Sequence, residues 1–461
     1  MGLNLFLKSR IEDAKALVGE LKKEYDYVSV LGSSTKLTKI ISSTYFSTME
    51  SSENDCGFVI KLYNGSCYSE YACDDIRGLS VDEIKNAVKL NGLKQKYVET
   101  APLEEEELTK SFERNDSSPL EGEEIMSRMA ALRQKAEKYD EKIIGVNVMH
   151  MKREVSEIFV SDKKCLDQFY VWVNFRLRVT ARDGDNIKSG SDSSNGSDTL
   201  SSLVGLEKKW QKICDKSLML LKAKPIVPGT YDIITHPYIS GLIAHEAFGH
   251  GVEMDMFVKN RAKAADYVGK YVASEHVNMR DGATGLLSAG SYFFDDDGVL
   301  AHNTEIIRDG ILVTGISDVL SALQLGTEPT GNGRRQNFAH KSYSRMTNTY
   351  FCAGGDKFED MVKSISHGYI LYDCNNGMED PKNWQIQCTA EYGLEVKDGE
   401  LTGEVVSPVV ISGSVLDLLG SVSMVSEEFE MDGIGMCGKG YKEWVYVADG
   451  GPYLKARAKL G

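Results

Sequence analysis

The sequence predicts an α+β fold in two parts, and three observations carry that prediction. Apolar and polar side chains alternate with period two in several runs. The clearest is Phe169 to Thr180, where Tyr170, Trp172, Asn174, Arg176 and Arg178 share one face. Helical patterns flank the strands of the first half, whereas long β stretches with Gly-rich connections fill the second. Between them lies Ala223-Lys224-Pro225-Ile226-Val227-Pro228, where two prolines stop a helix and favour an extended connector. A chain of 461 residues exceeds one ordinary core. We therefore expect an N-terminal helix and antiparallel-strand domain over 1–224, and a C-terminal β-rich domain over 225–461 with a large curved sheet carrying the helix described below.

In the first half, Ile11, Ala14, Val18 and Leu21 form one stripe of a helix over about 8–25. Strand-like runs follow at Tyr27–Leu31 and Leu37–Tyr45. Phe58–Tyr63 and Cys67–Ala72 are joined through Asn64-Gly65, a hairpin signal. Ser80-Val81-Asp82-Glu83 reads as a capping box opening a helix to about Leu90. Residues 103–118 are acidic and read as a surface excursion. A helix rich in Ala, Glu, Lys and Met is predicted over Glu121–Tyr139. Strands are expected at Ile143–Met151, Glu154–Val160 and Phe169–Thr180. Residues 182–202, rich in Gly, Ser and Asp, read as a flexible loop, followed by a helix over about Gly205–Lys222.

In the second half, Thr230–Thr235 reads as a strand and His236 to about Asp255 as a helix, with another helix to about Val272. Asp297-Gly298, Asp309-Gly310 and Asp398-Gly399 punctuate hairpins. Short helices are expected near 316–325, 356–366 and 413–420.

Composition excludes several classes. The net charge of −15 opposes a nucleic-acid groove, because phosphates would be repelled. Arg334-Arg335 and Arg345 are the candidates for a local basic patch, although such residues are more often solvated or ion-paired. No apolar run approaches the ~20 residues that span a bilayer. The start lacks the apolar core of a signal peptide, and Phe6 stands where a myristoylation signal wants Ser or Thr. A cytoplasmic protein is expected, in which the glycosylation-type triplets at Asn64, Asn115 and Asn195 carry no meaning. Of nine cysteines without a Cys-x-x-Cys pair, most should be free thiols buried as small hydrophobes, with one open to a role as ligand or nucleophile.

The chemistry is concentrated in His245-Glu246-Ala247-Phe248-Gly249-His250-Gly251-Val252-Glu253. Imidazole is the commonest zinc ligand, and a Glu beside a ligating His is where a zinc hydrolase keeps its general base. The two His are i and i+5, about 140° apart on an ideal helix. The helix must therefore end or bulge to bring both to one ion, and Gly249 is the residue that can leave helical dihedrals most easily. Glu253, three residues after His250, is a candidate to orient it; a surface carboxylate is the competing reading.

His245-Glu246-Ala247-Phe248-Gly249-His250-Gly251-Val252-Glu253-Met254-Asp255 resembles the metal motif of the TldD/PmbA family, once described as modulators of DNA gyrase. Pro329-Thr330-Gly331-Asn332-Gly333-Arg334-Arg335 with Arg345-Met346-Thr347-Asn348-Thr349, and Gly435-Met436-Cys437-Gly438-Lys439-Gly440 with Val447-Ala448-Asp449-Gly450-Gly451-Pro452, are similar to two further family blocks. The resemblance is to the catalytic, TldD-type member. It implies His245, His250 and Cys437 as zinc ligands and Glu246 as the base that takes a proton from zinc-bound water. It also implies hydrolysis of unfolded peptides in an enclosed cavity, and a homodimer or a heterodimer with a PmbA-type subunit. Arg280-Asp281-Gly282-Ala283-Thr284 and Gly440-Tyr441-Lys442-Glu443 depart from the family pattern without touching the implied ligands or base.

Other candidates read as structural. Gly331-Asn332-Gly333 lacks the Gly-Lys-Ser/Thr of a P-loop and reads as a tight turn, with Arg334 or Arg335 holding structure or a substrate carboxylate. Asp295-Asp296-Asp297-Gly298 lacks EF-hand spacing and reads as a solvated hairpin turn. His236, His276, His302, His340 and His367 have no motif partner. The function classes that remain are a zinc peptidase, a non-enzymatic assembly or regulatory protein, and a zinc amidase acting on small substrates.

Overall fold

The computed structural model describes residues 2–92, 100–102, 104–440 and 443–461. The fold is α+β, with two large sheets. The strands of the first are β1 (Tyr27–Ser43), β2 (Ser47–Tyr63), β3 (Tyr68–Cys73), β4 (Leu108–Arg114), β5 (Ile143–Ser161), β6 (Lys164–Asp183) and β7 (Asn186–Gly196). They lie in the order β3-β2-β1-β5-β6-β4, with β7 also paired to β6. Every pairing is antiparallel except β4 with β6. The runs read as separate strands at 27–31 and 37–45 are one strand, β1, with an irregularity between Thr35 and Leu37. The runs at 143–151 and 154–160 likewise merge into β5.

Two expectations in this half are corrected. The acidic stretch 103–118 is no simple surface excursion: Leu108–Arg114 pairs with Lys164–Tyr170. The Gly/Ser/Asp-rich stretch is no flexible loop: Asn186–Gly196 pairs residue by residue with Val173–Asp183. A ladder is made by main-chain groups, which these small polar residues supply as well as any others. Gly190 is required there, because a β-carbon would sit 3.0 Å from the Ile213 carbonyl of the helix packed above.

Helices α1 (Leu5–Lys8), α2 (Ile11–Leu21) and α3 (Val81–Gly92) accompany one end of this sheet, where Ala14, Val18 and Leu21 meet Val28, Val30, Ile60 and Ile158. Helices α4 (Gly122–Glu137) and α5 (Thr199–Leu220) cover the other end. Met129, Leu132, Leu203, Leu206 and Ile213 pack there on Val171, Val173, Phe175 and Leu177 of β6. The Asp198 carboxylate caps α5 by accepting from Ser201 N at 2.7 Å, so the helix starts six residues earlier than expected.

The second sheet has eleven strands: β8 (Gly229–Thr235), β9 (Met279–Gly282), β10 (Asn303–Arg308) and β11 (Ile311–Leu312), then, after the small pair β12 (Gly333–Arg334) and β13 (Tyr343–Ser344), β14 (Asn348–Phe351), β15 (His367–Asp380), β16 (Gln385–Lys397), β17 (Glu400–Val406), β18 (Val409–Ser414), β19 (Met424–Lys439) and β20 (Glu443–Leu460). Strand β8 pairs with β15 on one side and β20 on the other, so β8, β15, β16, β18 and β20 close into a ring. The main core gathers Ile233, Leu371, Cys388, Ile411 and Ala456 from that ring, together with Leu242, Ile243 and Phe248 from the segment that follows β8. The predicted turns form as the residues dictate. Asp309 and Gly310 have φ of 48° and 77°, and Asp398 and Gly399 have 51° and 78°, the left-handed pair that a two-residue hairpin needs. The helix expected to reach Val272 is only a short 3₁₀ segment at Lys263–Tyr267. Among the described residues, no helix is long and apolar enough to cross a membrane.

Candidate metal centre

Strand β8 delivers the chain into helix α6 (Pro237–Leu242), with Pro237 in its first turn and the His236 ring accepting from Tyr238 N. The winding then changes. Ile243–Gly249 is a π-helix, and His250–Val252 a 3₁₀ turn. The His250 N–H bonds to the His245 carbonyl, an i to i+5 closure. In that winding, residues five apart stand one turn apart, as residues four apart do in an α-helix. The two imidazoles accordingly face one space, with ring centroids 5.2 Å apart and planes at 84°.

Gly249 has a different role from the one expected. It keeps helical dihedrals, with φ of −60° and ψ of −47°. A β-carbon there would lie 2.1 Å from Met346 Sδ and 3.1 Å from the Ala244 carbonyl oxygen, so glycine is needed for space rather than for conformational freedom.

Cys437 comes from β19, paired with Val445 of β20. Its Sγ lies 3.4 Å from His250 Nε2. One donor atom each from His245, His250 and Cys437 falls within 4.8 Å of the others. A sulfur and a nitrogen sharing a tetrahedral zinc at about 2.3 and 2.0 Å stand roughly 3.5 Å apart, so the spacing fits. His245 Nδ1 is buried without a hydrogen-bond partner. Burial opposes charge on all three groups. The two imidazoles nevertheless hold the Cys437 thiol well below its usual range, and the thiolate raises both His245 and His250. The donor set is that of a Cys/His₂ metal site.

Glu246 Oε2 lies 4.0 Å from His250 Nε2. Burial raises its carboxyl above the usual range, against the pull of His245 and His250. Strand β15 fixes the side chain, since a β-carbon on Gly377 would sit 2.6 Å from Glu246 Cγ.

Glu253 is buried and not on the surface. Its Oε2 lies 3.2 Å from His250 Nδ1 and accepts from Lys439 Nζ at 2.9 Å. Burial works against its charge, yet Lys439, His250 and Arg345 bring it down to about 2. Lys439 also bonds Asp255 at 2.7 Å and the Ser344 carbonyl at 3.0 Å, and Arg345 Nη2 donates to the Cys437 carbonyl at 2.6 Å. Three segments far apart in sequence thus lock together around His250. Lys439, Asp255 and Met346 had no role in the sequence reading, and only charge complementarity between Glu253-x-Asp255 and Lys439 hints at one. Asp449 was also missed. Its Oδ1 is buried without a partner, and burial lifts it to about 7, partly offset by His245.

The basic-patch reading is corrected: Arg334, Arg335 and Arg345 are all buried. Arg334 donates to the Met346 and Tyr446 carbonyls, and Arg335 pairs with Glu70 and the His340 carbonyl. The solvated-turn reading of Asp295–Asp297 fails too. Asp297 is buried against Lys61 at 2.6 Å, and Asp295 accepts from Asp297 N, Val299 N and Gly333 N. His276, His302 and His367 are exposed, and none of the five histidines that lack a motif partner joins the cluster. Tyr441 and Lys442, in one of the segments departing from the family pattern, lie outside the described residues.

Residues 228–458 match the family model described as the PmbA/TldA metallopeptidase C-terminal domain. The chain belongs to the PmbA/TldD family. It is 32% identical over 318 residues to a protein named metalloprotease from Methanothermobacter thermautotrophicus, covering 68% of this chain and 69% of that one. It is 31% identical over 238 residues to a zinc metalloprotease TldD homolog from Saccharolobus solfataricus, covering 51% and 52%. The fold is similar to that of TldE from Thermococcus kodakarensis, with a TM-score of 0.73 at 18% identity, covering 97% of this chain and 99% of that one.

Proposed function

We propose that the chain is a zinc-dependent peptidase that hydrolyses unfolded peptides. The observation that carries this reading is the convergence of His245, His250 and Cys437 with Glu246 beside them. His245, His250 and Cys437 would hold the ion, and a set of three protein donors is the number found at catalytic rather than closed structural zinc sites. When bound, the ion supplies Lewis-acid polarisation and lowers the pKa of water. Glu246, raised by burial, takes the proton of the attacking water and returns it to the leaving amine. Glu253 and Lys439 hold the His250 ring in its ligating orientation.

A Cys/His₂ donor set and the name of the Saccharolobus relative support zinc. In this proposal, residues 225–461 form the metalloprotease domain, and residues 1–224 enclose the substrate and carry dimerisation. The partner is a second copy or a PmbA-type subunit, as the family resemblance implies. The setting is the cytoplasm, with no membrane or direct nucleic-acid role.

Metal content and peptide-library cleavage test the proposal together. About one zinc per chain is expected, lost in Cys437→Ser; Glu246→Gln keeps the zinc and loses hydrolysis. Full cleavage by Glu246→Gln removes the mechanism. Zinc without cleavage of any peptide favours the assembly or small-amide readings.

A further inference from the structure

A cavity of about 330 Å³ lies where the two sheets meet. Its walls come from β1, β2, β5 and β6 of the first sheet and, in the second half, from Tyr292 to Asp296, Arg334–Gln336 and the β19–β20 hairpin. That hairpin is the one that carries Cys437, and Met436 and Val445 line the cavity.

Arg153 stands in this wall, with only 6% of its surface exposed. Its guanidinium stacks on Tyr446, with Cζ 4.0 Å from the ring centroid, and Nη2 donates to the Ala289 carbonyl at 2.8 Å. Its Nε is buried and has no partner. A buried guanidinium with an idle donor is costly unless something else completes it.

Of the acidic groups in the same walls, Asp55 is exposed and accepts from Asn337 Nδ2 at 3.2 Å, and the other three are engaged within the protein. Asp296 accepts from Arg335 N at 2.6 Å and faces the Arg335 guanidinium at 3.9 Å. Asp295 is filled by main-chain N–H groups. Glu157 accepts from Gln168, and burial with the charge of Asp296 pushes its carboxyl up to about 8. Arg334 spends its donors on carbonyls. Arg335 also has an idle buried Nε but is ion-paired with Glu70; Arg153, with one carbonyl bond and no carboxylate partner among the described residues, is the cation left to meet a ligand. A planar fork on an aromatic face suits a carboxylate, which takes two parallel N–H bonds.

We propose that this cavity anchors a carboxylate of the substrate peptide on Arg153, behind the hairpin that presents Cys437; the inference rests on the peptidase reading. The carboxylate is either an acidic side chain or the peptide C-terminus.

Fluorescence anisotropy with zinc-loaded, full-length Glu246→Gln protein tests this without hydrolysis. Three labelled peptides of one length are compared: a C-terminal amide without acidic residues, the same peptide with a free C-terminus, and the amide carrying one internal Glu. One or both carboxylate peptides should bind about tenfold or more tighter than the neutral amide. Adding Arg153→Gln should erase that difference and leave the neutral amide unchanged. Arg153→Lys, which keeps charge without the fork, should reduce the preference several-fold; it also serves as the readout if Arg153→Gln does not fold. Which carboxylate peptide gains affinity identifies the source. Equal binding of all three peptides, a preference that survives Arg153→Gln or survives whole in Arg153→Lys, or an equal loss for all three in Arg153→Gln, overturns the inference. A carboxylate preference in a protein whose wild type cleaves nothing leaves the anchor standing and removes the peptidase reading.

Discussion

His250 is held between two groups of opposite purpose: Glu253 Oε2 lies 3.2 Å from its Nδ1, and Cys437 Sγ lies 3.4 Å from its Nε2. The Glu253 contact fixes which ring nitrogen is free to ligate. Glu253→Gln should therefore weaken metal affinity roughly 10- to 100-fold while the fold persists. Competition against a chelator measures it, and unchanged affinity would separate Glu253 from the metal.

The close approach of Gly249 and Met346 gives a second expectation. Gly249→Ala forces the Met346 side chain to move in a filled core and should cost about 1–3 kcal/mol. Zinc affinity should fall with it, because His250 is the next residue. Met346→Ala in the same chain should recover part of the loss in urea unfolding, so the double mutant should be more stable than the sum of the single changes.

Asp281 is buried and accepts four hydrogen bonds: from Asn332 Nδ2 at 2.8 Å, Thr347 N at 3.0 Å, Thr347 Oγ1 at 2.7 Å and Thr349 Oγ1 at 2.6 Å. It ties the Gly331-Asn332-Gly333 turn to the strand after Arg345. Asp281→Ala strands those donors and should cost about 3 kcal/mol or more. Asp281→Asn, which retains one acceptor, should cost less. Urea midpoints compare them.

Two buried histidines set an acid limit. Burial, then the charge of Lys152, brings His150 down to about 4; burial likewise brings His236 down to about 4. Below its ordinary value of about 6.5, each imidazole binds a proton in the unfolded chain before it does so in the folded one. Stability is thus fully present above pH 6.5 and falls as the pH drops toward 4, by up to roughly 2–3 kcal/mol for each residue. Unfolding free energies between pH 7.5 and 4.5 should show the slope. His150→Leu should flatten it, as should His236→Asn, which keeps an acceptor for the helix start.

What was readable in the chain was local. The Asp-Gly turns form where their left-handed dihedrals are needed, and the apolar stripe of α2 packs as its period indicates. The π-helix answers the i, i+5 spacing of His245 and His250, although the glycine between them acts through space and not through dihedrals. Strands β4 and β7 were hidden because most of their side chains are polar and show no sustained apolar alternation. Asp295–Asp297, Arg334, Arg335 and Arg345 look like surface residues in any short window, since their counter-charges lie elsewhere in the chain. Lys61, for example, is 236 positions from Asp297.

By itself, the sequence determined the elements set by short-range periodicity and turn chemistry, the family, and the types of side chain available to a metal. Tertiary structure alone decided which of them meet. Cys437 stands beside His250 only because β19 and β20 fold back over the helix that β8 feeds into the core. Glu253 is a buried partner and not a surface charge only because Lys439 and Arg345 arrive with it. Hydrophobic periodicity is a property of neighbouring residues and can be read along a chain. Compensation of a buried charge depends on groups distant in sequence, which come within reach only when the sheets close.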